Sequence, residues 1–306
     1  MAAEGHPQYG AASSTVLHPV LAGSSVAGRL LGATPKGIYL SFENPRNADE
    51  IPVVIALIPK TSVRLPLAMV AAGLLPDVSA NDPVFIGDGE LRVGTHSWRT
   101  TRWFDPRPVM GRHPEPTALA IAAESLWNLD FDAVGVSAPR AWDAAVALAS
   151  GDPEPSLRLL GDGPGLTPAG DDVVAGAMAA CALTGTGPTD ADCLRLLDRS
   201  RLATTTLSTA LLACAIRGQV VPQAAELLQA LGSGTHVVPA LNHLRAVGST
   251  SGTALALGLV AALTVATATS PAHSPLIHLV PRLPHRTDPA GSIGTTERPQ
   301  SWAAAR

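Results

Sequence analysis

The chain has 306 residues, of which 46% are hydrophobic and only 4% aromatic, and its net charge is −4 at pH 7. This length supports one large domain or two modest ones, with a core built mainly from small aliphatic side chains. The slightly acidic balance excludes the basic footprint of a nucleic-acid-binding protein. No charged-then-apolar leader pattern opens the sequence, and Cys181, Cys193 and Cys214 form an odd set without a C-x-x-C motif. We therefore expect free thiols and a cytoplasmic location.

In chain order, residues 1–14 are predicted to be a flexible N-terminus, and residues 15–105 a β-rich domain. Short apolar segments broken by turns predict strands at 37–42, 51–58, 83–86 and 91–93. The sequence Gly87-Asp-Gly89 between the last two predicts a hairpin. This half is expected to be a small, mainly antiparallel β unit.

A proline-rich connector follows, and residues 106–268 are predicted to form a helical domain, so that the fold class is α+β. Apolar residues at helical spacing predict helices at 117–128, 140–149, 168–183, 190–202, 204–217, 222–231, 237–247 and 252–268. The most hydrophobic segment, 254–268, is shorter than the ~20 residues that span a bilayer, which favours a buried core helix over a membrane contact. Residues 269–306 are predicted to be a flexible tail.

The most informative segment is 161–172, Gly-Asp-Gly-Pro-Gly-Leu-Thr-Pro-Ala-Gly-Asp-Asp, which leads directly into an apolar helix. We call residues 161–170 the motif loop. Thr167 is a candidate N-cap and Pro168 suits the first helical position. Backbone N–H groups at such a helix start bind phosphate or carboxylate, so the predicted anion-binding residues are Gly163, Gly165, Thr167 and Gly170.

Asp171 and Asp172 fall in the first turn of that helix, where three roles are open. They can satisfy the helix dipole, hold a Mg²⁺ ion, or transfer a proton. The spacing of Gly165 and Gly170 matches part of a P-loop, but the two aspartates replace its Lys-Ser/Thr. This replacement argues against an ordinary nucleoside triphosphatase.

Two further hydroxyl-rich helix starts are candidate partners of the motif loop. The first is 248–253, Gly-Ser-Thr-Ser-Gly-Thr, and the second is 204–208, Thr-Thr-Thr-Leu-Ser. Each is explained equally well as a simple cap, but helix N-termini that converge would form an anion pocket. The candidate binding residues in these two segments are Thr205, Ser208, Ser249, Ser251 and Gly252. Arg201, Arg217 and Arg245 are candidate guanidinium partners for the anion.

The motif Gly163-Pro-Gly-Leu-Thr-Pro-Ala-Gly-Asp-Asp172 resembles the GPGLTPSGDD signature of the AllH-like proteins, a family that includes a subunit of bacterial oxamate carbamoyltransferase. The resemblance is expected to cover residues 16–268. Ala169 stands where the family signature has Ser, and Ala254 stands near a position where the family often has Asp. The second departure puts the substrate or the activity in question.

The resemblance implies carbamoyl transfer between carbamoyl phosphate and a small amide or amine such as oxamate, in purine or allantoin nitrogen catabolism. The family chain is one subunit beside FdrA-like and AllG-like chains, which leaves open whether this polypeptide is active alone. Asp171 and Asp172 are then the candidate catalytic residues, with Mg²⁺ as a candidate cofactor. Two alternatives stay open: a non-catalytic binding or scaffold subunit, and an ATP–Mg-dependent phosphotransferase.

Overall fold

The computed structural model describes residues 7–43, 51–109, 111–127 and 136–269. Its first part contains eight strands and one short helix, α1 (His18–Leu21). The strands are β1 (Gln8–Ser14), β2 (Val26–Thr34), β3 (Gly37–Phe42), β4 (Val53–Pro59), β5 (Ala68–Ala71), β6 (Val84–Gly87), β7 (Glu90–Val93) and β8 (His96–Phe104). Of the tail predicted at 269–306, all but Thr269 lies outside the described residues.

The eight strands close into a barrel in the order β1-β5-β4-β3-β2-β6-β7-β8. The expected mainly antiparallel β unit is correct only in part, since β1 pairs with β8 and β4 pairs with β5 in parallel. The expectation of a flexible N-terminus is wrong for Gln8–Ser14, because β1 is the strand that closes the barrel. Its partners lie far along the chain, and a small, polar strand of this kind carries little local signal.

The hairpin predicted around Gly87-Asp-Gly89 is confirmed, since β6 and β7 are antiparallel and Gly87 pairs with Glu90. Asp88 and Gly89 form its two-residue loop, and both have positive φ, at 52° and 82°. This combination is the one that a type I′ turn requires.

The second part of the chain is helical, as predicted. The helices are α2 (Pro116–Trp127), α3 (Ala138–Ala149), α4 (Glu154–Leu157), α5 (Ala169–Thr184), α6 (Asp190–Ala203), α7 (Thr206–Ala215), α8 (Pro222–Ser233), α9 (Val237–Arg245) and α10 (Ser251–Thr269). Each predicted helix has its counterpart, and the short α4 is an addition to them.

Helix α10 forms the centre of the helical part, where it packs against α2, α3, α5 and α9. By length and composition its segment Ser251–Ala268 could cross a membrane, with a mean hydropathy of 1.7, but 56% of that segment is buried within the protein. Helices α5 and α10 approach closely at two glycines. A Cβ on Gly176 would lie 2.2 Å from the Leu255 carbonyl oxygen, and one on Gly258 would lie 1.9 Å from that of Val173.

Helix α7 joins the two parts of the structure. Its residues Leu207, Ala210 and Cys214 are buried in the core of the barrel, at the i, i+3, i+7 spacing of one helix face. Leu212 and Ala215 belong instead to the core of the helical part. The start of α7 is therefore fixed against both halves of the chain.

Candidate functional site

The three polar helix starts singled out from the sequence lie together in the structure. The hydroxyl oxygens of Thr167 in the motif loop and Ser251 at the start of α10 are 3.1 Å apart, at hydrogen-bond distance. The Thr205 hydroxyl, at the start of α7, donates to the Leu166 carbonyl oxygen at 2.6 Å. We call this meeting point of the α5, α7 and α10 N-termini the three-helix junction.

The start of α5 differs from the expected cap. Pro168 is the N-cap and makes no side-chain cap bond, and the Thr167 hydroxyl faces Ser251 instead. The Gly170 N–H donates to the Asp162 carbonyl oxygen at 2.8 Å, and the N–H groups of Asp171 and Asp172 donate to the Pro168 carbonyl oxygen. Gly170 is therefore not available as an anion donor, and the anion-binding prediction narrows to the exposed part of the loop, residues 163–166.

Two motif glycines are required by packing. A Cβ on Gly161, which has a φ of 83°, would lie 2.2 Å from the Ala203 carbonyl oxygen. A Cβ on Gly170 would lie 2.0 Å from the Leu159 carbonyl oxygen. Any side chain at these positions would push the motif loop away from its neighbours.

Asp171 is a buried carboxylate that ties the motif loop to α7, with 2% of its surface exposed. Its Oδ1 accepts the Gly161 N–H at 2.8 Å, and its Oδ2 accepts the Thr204 hydroxyl. Burial raises the pKa of Asp171, against the lowering effect of the hydrogen bonds from Thr204, Gly161 and Ser208. Because both oxygens are engaged, the geometry suits positioning better than proton transfer.

Asp172 differs from Asp171 because one of its carboxylate oxygens has no hydrogen-bond partner. The Ser251 hydroxyl hydrogen-bonds to its carboxylate, but Oδ2 is buried and has no hydrogen-bond partner. Burial raises the pKa of Asp172 well above its ordinary value, and the neighbouring charge of Asp171 raises it further. A carboxylate oxygen that lacks a partner and whose pKa is raised is a stronger proton acceptor than an ordinary aspartate oxygen.

The junction does not fit a magnesium site formed by the two aspartates. Both oxygens of Asp171 already accept hydrogen bonds, so only Oδ2 of Asp172 remains. Within the described ranges no group of three or more His, Cys, Asp or Glu side chains could hold a metal ion.

The other predicted site residues have different environments. Ser208 bonds to Asp171, while Ser249 is exposed at the end of the turn before α10. Gly163 and Gly252 have packing roles: a Cβ on Gly163 would lie 2.8 Å from the Ala169 nitrogen, and one on Gly252 would lie 2.0 Å from the Leu244 carbonyl oxygen. Gly165 has a φ of 95° and an open Cβ position.

Two of the three candidate arginines donate to groups other than these carboxylates. Arg217 lies at the opposite end of α7, about 15 Å from its start, and donates to the Ala213 carbonyl oxygen at 2.9 Å. Arg245 donates to Asn242 at 3.1 Å, and Arg201 is exposed on α6. Within the motif loop, Asp162 forms an ion pair with Arg140 at 2.7 Å.

All three cysteines are free, and two of them are buried. Burial raises the pKa of Cys181 to about 11 and that of Cys214 to about 12. Both are therefore neutral thiols near pH 7, which are poor nucleophiles.

Thr204 belongs to the junction but is not among the site residues predicted from the sequence. The predicted residue of the threonine run 204–206 is Thr205, whereas the hydroxyl that reaches Asp171 is that of Thr204. The signal in the sequence that could identify Thr204 is its position, because it directly precedes the N-cap Thr205. The structure makes Thr205 both the cap, through Ser208 N–H, and the partner of Leu166.

Replacing Thr204 with Val should destabilise the protein by ~1–3 kcal/mol, because a buried carboxylate oxygen loses its hydroxyl donor. The loss should be larger at pH 8 than at pH 4.5, since only ionised Asp171 needs the donor strongly. Urea unfolding at both pH values measures it. Thr209→Val on the same helix is the matched control, because the buried Thr209 hydroxyl has no partner to lose. Equal losses in the two variants would contradict the role given to Thr204.

The part of the chain that contains this junction is similar to a known protein family. Residues 159–263 match the sequence model of a family described as oxamate carbamoyltransferase subunit AllH. The resemblance to the AllH-like proteins is confirmed for these residues, but not for the rest of the expected range, 16–268. The match starts just before the motif loop and ends within α10, so it includes all three helix starts but no strand of the barrel. No curated protein and no solved structure matches the chain.

Proposed function

We propose that this chain is a subunit of a carbamoyltransferase that moves a carbamoyl group between carbamoyl phosphate and a small amide such as oxamate. The observation that carries the proposal is the coincidence of two independent findings. The AllH match spans residues 159–263, and the same segment folds into the three-helix junction with its unpartnered carboxylate.

The chemistry requires a proton acceptor. The amide nitrogen of oxamate attacks the carbamoyl carbon, a C–N bond forms, the bond between that carbon and the phosphate oxygen breaks, and phosphate leaves with the bonding pair. The attacking nitrogen must lose one proton in this sequence. Asp172 Oδ2 receives it in the forward direction, and protonated Asp172 returns it in the reverse direction.

The other junction residues position these groups. Asp171 fixes the motif loop on α7 through Gly161 and Thr204. Ser251 bonds to Asp172 and, with exposed Ser249 nearby, faces the substrate carbonyl or carboxylate. The backbone N–H groups of Gly163, Gly165 and Leu166, in the exposed part of the loop, receive the phosphate. Aligned donors of this kind stabilise the oxyanion of an acyl transfer.

The family description names a subunit, so partner chains belong to the proposal. We place FdrA-like and AllG-like chains beside this one, in cytoplasmic purine or allantoin catabolism.

Exposed apolar side chains favour a second candidate function, in which the surface around the three-helix junction is a docking site of a non-catalytic subunit. Leu166 is 40% exposed in the motif loop and Leu202, two residues before Thr204, is 84% exposed on α6. A phosphotransferase that binds ATP–Mg is not favoured, because the aspartates do not fit a magnesium site.

A thermal-shift screen of the purified chain separates these functions. Carbamoyl phosphate, phosphate, oxamate, oxalurate and ATP are each added with and without Mg²⁺. Ligands that bind the native state raise Tm, by an amount equivalent to ~2.7 kcal/mol at a hundredfold excess over Kd. We expect a rise with carbamoyl phosphate or oxamate that is independent of Mg²⁺. No rise with either, together with stable co-elution with an FdrA-like chain, would favour the non-catalytic subunit.

A further inference from the structure

A cleft lies where the barrel meets the start of α8, and none of the motif-loop residues line it. Its volume is about 450 Å³, which is in the range of small-molecule sites. Residues 10–12 of β1 form its floor, the segment after β4 supplies Lys60 and Arg64, and β8 supplies Arg102. Pro222 and Gln223, the first residues of α8, line the remaining side.

The sequence explains why a cleft exists here. Gly10, Ala11 and Ala12 are the smallest residues in β1, so the floor leaves space that larger side chains would fill. The pairing of β1 with β8 shifts between Ala11 and Ala12, leaving Thr101 as an extra residue. Such a bulge turns neighbouring side chains out of strict alternation. As a result, both Thr101 and Arg102 line the same cleft.

The electrostatics of this cleft are opposite to those of the three-helix junction. Lys60, Arg64 and Arg102 are exposed, and no carboxylate lines the described cleft. The ion pairs found among the described residues include none of these three cations. Arg64 lies over the Phe104 ring, with 4.6 Å between the guanidinium carbon and the ring centroid, which fixes its direction without neutralising it.

Helix α8 contributes two features to the cleft, the partial positive charge at its N-terminus and an unpartnered hydrogen-bond acceptor. Its N-terminal dipole end opens at Gln223. The Gln223 Oε1 atom is buried but has no hydrogen-bond partner. A buried acceptor without a donor is costly in a folded protein. A ligand that supplies both negative charge and a hydroxyl or amino donor would satisfy the whole set.

We propose that this cleft binds a phosphorylated small molecule that also carries hydroxyl groups. Arg102, Arg64 and Lys60 contact the phosphate, and the Gln223 carbonyl oxygen accepts from a ligand hydroxyl. The site is independent of the carbamoyl transfer proposed above. Helix α8 follows the C-terminal end of α7, where the Gln219 N–H donates to the Cys214 carbonyl oxygen, whereas the junction lies at the N-terminal end of α7.

Isothermal titration calorimetry on the full chain tests the site, with ribose 5-phosphate, inorganic phosphate and unphosphorylated ribose as probes. Ribose 5-phosphate should bind saturably at one site, phosphate more weakly, and ribose not at all. Arg102→Gln should weaken ribose 5-phosphate at least ~10-fold, as expected for a lost charge-assisted contact. The affinity should also fall with added salt. Gln223→Ala should reduce the preference for ribose 5-phosphate over phosphate.

Two matched variants complete the test. Arg29→Gln removes the same charge from exposed β2, which lies opposite β1 in the eight-strand order, and should leave the affinity within about twofold. Asp172→Asn should also leave it unchanged, even if it abolishes carbamoyl transfer. Equal weakening by Arg102→Gln and Arg29→Gln would show nonspecific charge attraction and overturn the proposal. Absence of saturable binding of both ribose 5-phosphate and phosphate would overturn it as well.

Discussion

Replacing Asp172 with Asn is expected to lower carbamoyl transfer by a factor of ~10²–10⁴ in the assembled enzyme, the usual loss when a proton-transfer group is removed. The amide keeps the size of the side chain and its contact with Ser251, but it cannot accept a proton. The comparison is made as kcat/KM of the wild-type and variant complexes. Unchanged kcat/KM in the variant would show that Asp172 does not take part.

The pH profile distinguishes this role from a structural one. Burial and the Asp171 charge raise the pKa of Asp172 well above its ordinary value. Transfer to oxamate needs the ionised form, so kcat/KM should rise with pH through that raised pKa, and the reverse reaction should fall over the same interval. Asp172→Asn should remove this limb in both directions. A variant that loses activity but keeps the wild-type limb would assign the limb to another group.

Stability should change in the opposite direction to activity. A carboxyl group whose pKa is raised in the folded state costs no stability below its unfolded pKa, and stability falls as pH rises toward the folded pKa. Asp172→Asn should therefore unfold at a higher temperature than the wild type at pH 8, and at a similar temperature at pH 4. Asp171→Asn is the matched comparison. It should lose stability as well as activity, because the amide has a single acceptor oxygen for the two hydrogen bonds that Gly161 and Thr204 donate.

The sequence predicted the helical half well because its signals are local. Apolar periodicity and capping residues lie within each helix, and the three hydroxyl-rich starts were recognised from Gly, Ser and Thr alone. The sequence does not show that these helix starts converge. In the structure, the contact between Thr167 and Ser251 joins two of them. The different environments of Asp171 and Asp172 could not be predicted, since adjacent residues in one helical turn point to different neighbours.

The barrel was less predictable because its closure depends on distant residues. Strand β1 pairs with β8, some ninety residues later in the chain. No hydrophobic periodicity or motif in Gln8–Ser14 indicates which strand it pairs with. The cationic cleft was missed for the same reason. Lys60 and Arg102 come from separate strand ends, and Gln223 comes from the helical half. The cleft exists only once the barrel has closed against α8.

Replacing Gly258 with Ala should destabilise the protein by ~1–3 kcal/mol or more, the cost of forcing extra volume into a packed contact. The new Cβ would lie 1.9 Å from the Val173 carbonyl oxygen and 3.1 Å from the Ala177 nitrogen, so backbone has to move. Alanine favours a helix over glycine by up to ~1 kcal/mol, and the clash must exceed that gain. Urea unfolding measures the balance.

Gly232→Ala in α8 is the matched control, since it is also a glycine-to-alanine change within a helix but has a looser contact, 3.0 Å from the Arg112 carbonyl oxygen. It should be close to neutral in stability, and equal losses in both variants would contradict the close crossing of α5 and α10.

The crossing of α5 and α10 also has a functional consequence. Asp172 stands on α5 and its partner Ser251 on α10, so separating these helices should weaken that hydrogen bond. Gly258→Ala should therefore lower transfer even at temperatures where the variant is fully folded, and Gly232→Ala should not.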